Sequence, residues 1–493
     1  MSWMAERPEE RPAMLDNDDG TWKFVLERDH KPTIPYATVV ANREILKGIA
    51  CDTNLLSQIA NATTLPGVTW KDVAINPDAH LGYGVPIGSV IRTKDIIIPG
   101  SVGYDIQCSM SLLQTDVPKE ELVDVRVRRL LLDAIEKRVP TGIGQRGTQQ
   151  NRIYDASSWI PDGFDKMFCE MFNVPVSWMD RCEDSVHRGT CGYDSLKSRL
   201  QYYFAKDDRV LQKLSQLGTY GSGNHFGEGG IIDVADPTTA GEWGLKQGCF
   251  AFMSHCGSRG FGHMIATHHF RKLQAHFDTW RIPLSDRELV YIPVGTNECN
   301  DYLNDIALAG NFATLNHMII NKLVAESIKE IFPGSSSDLV YYISHNFVRK
   351  EYDGKDGWYV HRKGATRALP SKHHALLDTP FYKTGHPILL PGNAIDGSVI
   401  MKANDGAKKT FFSVNHGAGR CMSRGDAKRK LLQHEVDADM EEGNVISNCR
   451  TYPIDEAPGA YKDFNQVVAS VVGADLATTV ATMKPIMVLK SKD

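Results

Sequence analysis

Residues 289–346 read LVYIPVGTNECNDYLNDIALAGNFATLNHMIINKLVAESIKEIFPGSSSDLVYYISHN. Both ends are short β-branched and aromatic runs, Leu289–Val294 and Leu339–Ile343, of the kind that form strands. Between them, apolar residues recur at three- and four-residue steps over Asn304–Ile331, which predicts a helix. A doubly wound sheet would repeat this unit with a regular period, and the rest of the chain does not. Further helical periodicity falls at Lys119–Arg138, Asp426–Glu441 and Asp463–Thr482. Further strand-like runs fall at Val85–Ile91, Ile231–Val234, Lys409–Val414 and Ile486–Lys490. Helices and strands interleave without a βαβ rhythm, so the expected fold is α+β, a complex mixed α/β arrangement.

Working outward, the 493 residues are 42% hydrophobic and 23% charged, close to the globular average, which excludes disorder over most of the chain. The most apolar stretch, Phe464–Met483, carries Asn465 and Asp475, so no membrane span is expected. The first twenty residues are charged and lack an apolar core, so no secretory signal is expected there, and 1–20 reads as a flexible N-terminal arm. Residues 141–195 are rich in Gly, Ser, Asp and Cys with weak periodicity, and read as an insertion or lid-like region. The ten cysteines form no CxxC pair, which fits reduced thiols and a cytoplasmic location. A formal charge of −5 argues against coating nucleic acid through bulk positive charge, although local basic clusters stay available.

Eight segments combine glycine with Asp, His, Cys, Asn or Arg, or set His beside Asn. They are NPDAHLGYG (76–84), GYDIQC (103–108), GSGNHFGE (221–228), SHCGSRGFGH (254–263), SHN (344–346), HRKGATR (361–367), PGNAIDGS (391–398) and NHGAGRCMSR (415–424). Several follow a strand-like run, and strand ends are where sheets commonly place ligands.

Asp105 and Cys108 lie three apart, and His225, His255 and His345 each stand beside serine or asparagine. Singly, such residues more often serve turns or the core. As a set, one carboxylate, one thiolate and three imidazoles suit a borderline divalent ion such as Mn, Fe or Zn, and their wide spacing excludes the usual structural zinc patterns. Arg259, Arg362, Lys363, Arg367, Arg420 and Arg424 sit inside the glycine motifs, where guanidinium groups and backbone N–H can face a phosphate. His416, followed by Gly417, Ala418 and Gly419, can project from its loop as a nucleophile, a general base, a metal ligand or a turn histidine.

These motifs, in order, resemble the RtcB family of GTP-dependent RNA ligases from about Asn76 to Lys490. PDAHLGYG, GYDIQC, GSGNHFGE, SHCGSRGFGH, HN, HRKGATRA, HGAGRCMSR, DEAPGAYKD and KPIMVLK each resemble a family motif. The resemblance implies one catalytic domain over 21–493, with metal and nucleotide held in a central cleft. It implies joining of RNA 3'-phosphate or 2',3'-cyclic phosphate ends to 5'-hydroxyl ends, in RNA repair or tRNA splicing. Two Mn2+ ions would be held by Asp105, Cys108, His225, His255 and His345, with Cys108 shared. His416 would be the nucleophile that carries GMP. Asn224, Glu228, Asn346, Pro391, Gly392, Ser398, Gly417, Ala418, Gly419, Tyr461 and Lys490 would hold GTP. Asp78, Arg259, Lys363, Arg420 and Arg424 would serve the active site or the RNA phosphates. RNA ends are the expected partners, and an activating protein such as archease enters as a further one.

One loop departs from the family: where PGSMGTxS is usual, this chain has PGNAIDGS, which puts Asn393, Ala394, Ile395 and Asp396 beside the expected nucleotide. Weaker or altered nucleotide preference is the expectation. The competing readings are a metal-dependent RNA-end phosphoesterase or nuclease and a non-catalytic RNA-end binding protein. Both lose ground because the HGAGR histidine, the terminal lysine and every candidate ligand are retained.

Overall fold

The structure is a computed structural model and describes residues 11–28, 31–148, 159–190 and 192–492. The architecture is mixed α+β, as the interleaved patterns predict, and is organised by two large sheets. The first has seven strands, in the spatial order Arg11–Asp16, Thr21–Arg28, Lys31–Val40, Val73–His80, Ile87–Thr93, Asp356–Lys363 and Asn346–Asp353. The second runs Ser337–Ser344, Ser109–Pro118, Cys249–Cys256, Phe226–Val234, Ala477–Lys490, Ser398–Ala403 and Pro387–Pro391, with Ile446–Ser447 pairing alongside Ala477–Lys490 as its eighth strand.

The sheets meet at their edges. Ser337–Ser344 borders the second sheet and Asn346–Asp353 borders the first, so His345 alone separates them along the chain. Asp78, on Val73–His80, lies in the first sheet, and His255, on Cys249–Cys256, lies in the second.

Behind the second sheet runs the helix Asn297–Ile331, about 50 Å long at 1.5 Å per residue. Thr296 caps its start by accepting from the N–H of Cys299 at 3.2 Å, and every residue from Asn304 to Asn321 is buried. A helix apolar or satisfied all round belongs in an interior. Its buried asparagines hold neighbouring backbone: Asn311 bonds both the N–H and C=O of His187, and Asn316 accepts from the N–H groups of Gly218 and Thr219.

Several expectations need correction. Residues 11–16 form a strand that pairs with Thr21–Arg28, so the arm expected over 1–20 is sheet there; residues 1–10 lie outside the described residues. In the region 141–195, read as an insertion or lid-like region, Trp159, Phe164, Phe168, Phe172 and Trp178 are buried in the main core; residues 149–158 and 191 lie outside the description. The helix expected over Asp463–Thr482 stops at Gly473, and the threonine-rich run beyond it pairs on both sides as the strand Ala477–Lys490. Cross-strand partners outweigh helical spacing there. Lys409–Val414 is split: Phe411 and Phe412 take positive φ (56° and 52°), and only Ser413–Asn415 forms a strand. Likewise only Ile292–Pro293 of Leu289–Val294 is a strand.

Candidate active site

Cys108 stands at the entry to Ser109–Pro118, directly after a tight turn. Gln107 is held in the left-handed region (φ 58°), its N–H donating to the carbonyl of Asn346 at 2.7 Å and its buried side chain bonding His187 at 3.0 Å. A non-glycine residue in that conformation costs free energy unless its surroundings fix it. Here the turn throws the side chains of Asp105 and Cys108 to one side.

Pairing then brings the histidines in. His255 sits opposite Met110 and Phe226 across the second sheet, which places His225, the residue before Phe226, at the same strand ends. The N–H of His345 donates to the carbonyl of Cys108 at 2.9 Å. Two ligand triads result, Asp105–Cys108–His225 and Cys108–His255–His345, with the donor atoms of each within 4.8 Å of one another and the Cys108 thiol common to both. Cys108 Sγ lies 3.1 Å from His255 Nε2 and 3.5 Å from His225 Nε2, and the Nε2 atoms of His255 and His345 are 3.3 Å apart.

This donor set fits a pair of cations. His225 Nδ1 donates to the carbonyl of Tyr220 at 2.8 Å, and its Nε2 stands 2.8 Å from Asp105 Oδ2. Two acceptors that close repel unless a proton or a metal ion lies between them. Burial, joined by the Asp105 charge, pushes the Cys108 thiol well above its usual range, and burial with the neighbouring imidazoles holds His255 and His345 well below theirs. Burial acts against ionised Asp105, yet the charge of His225 brings its carboxyl below the usual range. Neutral imidazoles are ready ligands, and a bound cation stabilises the thiolate outright.

His416 stands apart from both triads, its ring 4.8 Å from that of His345. Its Nδ1 is 2.7 Å from Asp78 Oδ2 and 2.9 Å from the carbonyl of Gly364, so Nδ1 carries the proton and Nε2 presents a lone pair. Asp78 is fully buried. The loop that follows, Gly417–Gly419, is wedged between Asp78 and Pro391: the N–H of Ala418 donates to the Pro391 carbonyl at 3.0 Å. Gly419 has φ 72°, and a Cβ there would lie 2.1 Å from the Asp78 carbonyl, so only glycine fits. Lys462 braces the same segment by donating to the carbonyls of Pro77 and Ala79 at 2.9 and 2.5 Å, and burial lowers its pKa to about 8.

Pro391 leads into a narrow cleft lined by Glu228, Gly392, Asn393, Tyr461 and Lys490. Ser398 donates to Glu228 at 2.8 Å, and burial, opposed by that bond, raises the Glu228 carboxyl to about 7. The cleft's charges are internally matched. Lys490 pairs with Glu456 at 2.9 Å, Tyr461 donates to Glu456 at 2.6 Å, and Arg424 and Arg420 reach the same carboxylate at 2.7 and 3.4 Å. Glu456, Lys462 and Tyr452 were not singled out from sequence. The DEAPGAYKD motif pointed to the first two, since an acid and a lysine there flank the chosen Tyr461.

The other expected residues divide. Asn346 ties the site together, donating to the carbonyl of Asp105 at 3.1 Å and accepting from Gly364 N–H at 2.8 Å. Asn224 is exposed and bonds Arg424. Arg259 (φ 53°) folds back over Gly221, and its guanidinium reaches within 3.2 Å of His225 Nδ1. Lys363, lowered to about 7 by burial, donates to the carbonyls of Tyr83 and Val85 at 2.5 and 3.1 Å. Arg362 and Arg367 do not join the site: both pair with Glu351. His361 is excluded as a nucleophile because Nδ1 bonds the Ile91 carbonyl and Nε2 accepts from Ile98 N–H. In the departing loop, Asn393 and Ala394 line the cleft, whereas Asp396 is exposed and tied to Asn393 at 2.6 Å.

Comparison with known proteins gives this geometry a family. The family described as "tRNA-splicing ligase RtcB" matches residues 58–491. The tRNA-splicing ligase RtcB of Thermococcus kodakarensis is 33% identical over 484 residues, covering 94% of this chain and 96% of that protein. The RNA-splicing ligase RtcB of Mycobacterium bovis is 34% identical over 448 residues, covering 88% and 100%, and the Aeropyrum pernix tRNA-splicing ligase RtcB is 31% identical over 490 residues, covering 95% and 98%. With its two triads sharing one thiol beside a free histidine nitrogen, the chain belongs to the RtcB family of RNA-splicing ligases, enzymes that join RNA ends.

Proposed function

We propose that this ligase joins RNA 3'-phosphate or 2',3'-cyclic phosphate ends to 5'-hydroxyl ends through a guanylylated His416, using GTP and a pair of Mn2+ ions. The observation that carries the reading is His416 itself, with Nδ1 fixed by Asp78 and Gly364 and Nε2 left free. Divalent ions held by Asp105, Cys108, His225, His255 and His345 would supply charge neutralisation where several phosphates meet.

Asp78 keeps the proton on Nδ1, so the nucleophile is a neutral imidazole nitrogen. Nε2 forms a bond to the α-phosphorus of GTP as pyrophosphate leaves. His416 then passes the guanylyl group to the RNA 3'-phosphate, and the 5'-hydroxyl displaces GMP as the new phosphodiester forms. Glu228 and Ser398 would recognise the base, with Lys490, Tyr461, Asn346, Asn224 and the loops Pro391–Gly392 and Gly417–Gly419 holding the remainder. Arg259, Lys363, Arg420 and Arg424 would meet phosphates by exchanging their present partners. Residues 21–493 act as one catalytic domain in this reading. A cytoplasmic location accords with two facts: none of the described cysteines is paired, and no helix among the described residues is long and apolar enough to cross a membrane. An activating protein such as archease enters as a partner to be tested by adding it to stalled guanylylation.

The test is incubation with Mn2+ and α-labelled GTP. An acid-labile label should appear on His416 and vanish in His416→Ala, while that variant still seals RNA supplied with a preactivated 3' end. A label that persists in His416→Ala would move the nucleophile elsewhere.

A further inference from the structure

Outside the catalytic centre, the helix Arg259–Trp280 forms one wall of a groove of about 670 Å³ whose other wall is built by Tyr193–Lys206 and Val210–Leu214. Five cations line it, Lys206, Arg209, Lys213, Arg271 and Lys272, against one acid, Asp207, which is paired with Arg209. A local excess of four positive charges stands out in a chain whose formal charge is −5. Lys206, Arg209, Arg271 and Lys272 are exposed, and Lys272 has only a distant acid, Glu298 at 3.9 Å.

The groove and the metal-ligand cluster share one chain segment: Gly260 lines the groove, and the preceding Arg259 reaches His225 with its guanidinium. Along the helix, His263, Met264, Thr267, His268, Arg271 and Lys272 follow at three- and four-residue steps on one face. From Gly260 to Lys272 that face extends about 18 Å, room for a few nucleotides.

Aromatic surface continues from the same wall. His263 stacks on Tyr104 (centroids 5.7 Å, 30° between planes), Tyr104 meets Tyr83 edge-on at 6.1 Å, and Tyr83 is 67% exposed. Tyr104 directly precedes the candidate ligand Asp105 in the chain. Cations that track a backbone, interleaved with rings on which bases stack, are the features that hold single-stranded nucleic acid without reading its sequence. An acidic protein surface would use the charges but leave the exposed ladder unexplained.

We infer that this groove carries the single-stranded RNA arm that leads to the ligation site. The inference rests on the RNA-joining activity and locates where the strand runs. Lys206, Arg209, Lys213, Arg271 and Lys272 contact phosphates, and Tyr83 stacks a base near the reacting end.

The test uses two ten-nucleotide fluorescent RNAs, one with a free 3'-phosphate and one with a free 5'-hydroxyl, and fluorescence anisotropy across a salt series. In Lys206→Glu/Arg271→Glu, binding of at least one probe should weaken about tenfold or more, and its log–log salt slope should flatten by roughly 0.7 per lost phosphate contact. Lys206→Gln/Arg271→Gln should fall between that variant and wild type. Tyr83→Ala should weaken binding with little change in slope. Guanylylation by GTP and Mn2+ without RNA should match wild type in all three. Wild-type affinity and slope for both probes in both charge variants would overturn the inference, and would leave an acidic protein as the occupant. Because RNA binding and guanylylation are measured separately, a failure of the His416 reading does not count against the groove, nor the reverse.

Discussion

The ligand cluster and the nucleotide cleft lie side by side and are built on opposite principles. At the cluster, oxygen, nitrogen and sulfur donors converge, Asp105, Cys108 and His225 on one side and Cys108, His255 and His345 on the other, with the Arg259 guanidinium at the far nitrogen of His225. In the cleft the cations are already engaged, since Glu456 gathers Lys490, Arg424 and Arg420 together with the Tyr461 hydroxyl. The first region already gathers its candidate ligands at one point. The second is held by its own ion pairs, and the GTP proposed to bind there would have to exchange their partners. Metal should therefore bind without rearrangement, while nucleotide binding competes with internal electrostatics.

The strongest way to break that contrast is Cys108→Ala, which removes the atom common to both triads. Guanylylation should fall more than a hundredfold, beyond the range typical of outer-shell losses, with both metal equivalents weakened in titration. Two tightly held ions in that variant would show the thiol is not shared. Next is Glu456→Gln. Removing one member of a buried ion pair costs about 3–5 kcal/mol, so denaturation should show a loss of that order, partly restored by GTP, with metal stoichiometry unchanged. An unaltered midpoint would mean the cleft is not held shut by its charges.

Glu228 sharpens the comparison through pH. Its folded pKa, about 7, lies above the unfolded value of 4.5, so the fold favours the protonated form. Its contribution is fully present below 4.5 and is lost as pH rises to about 7. Glu228→Gln should therefore gain on the order of 3 kcal/mol over wild type at pH 8 and almost nothing at pH 4. If the ionised carboxylate grips the base, GTP binding in the wild type should also strengthen as pH passes about 7, and Glu228→Gln should flatten that profile. A pH-independent stability difference would contradict the buried-carboxyl account. The smallest effect is expected at Asp396→Thr. Because Asp396 is exposed and tied to Asn393, stability should change by under about 0.5 kcal/mol and the GTP requirement by less than about twofold. A tenfold change would bring the loop's charge back against the phosphates.

Sequence reading served these regions unequally, for a physical reason. The convergence of Asp105, Cys108, His225, His255 and His345 was legible because glycine-bearing turns at strand ends expose side chains whose chemistry has few uses, and the sheets bring all five together. Glu456 was not legible because an acid in a loop looks like solvated surface until its four partners fold around it. The charge of Arg362 misled for the same reason, since nothing local announces Glu351. In the fold, the long interior helix was found from Asn304 on, yet its start at Asn297 was missed, and so was all of Arg259–Trp280, which begins inside a glycine motif. Of the strand Ala477–Lys490 only the end from Ile486 was legible, because the neighbours of the rest lie far off in sequence, at Phe226–Val234 and Ser398–Ala403.

The one-residue link at His345 has a consequence for the life of the chain. Residues from Asp78 to Lys490 must find one another before ligands, nucleophile and cleft exist together, and contacts so distant in sequence form late in folding. The Asp105–Cys108–His225 triad needs the chain only as far as residue 225, whereas the Cys108–His255–His345 triad waits for His345, which lies between the two edge strands. The two triads, the His416 pair with Asp78 and the cleft at Lys490 therefore exist together only in a chain made almost to its last described residue.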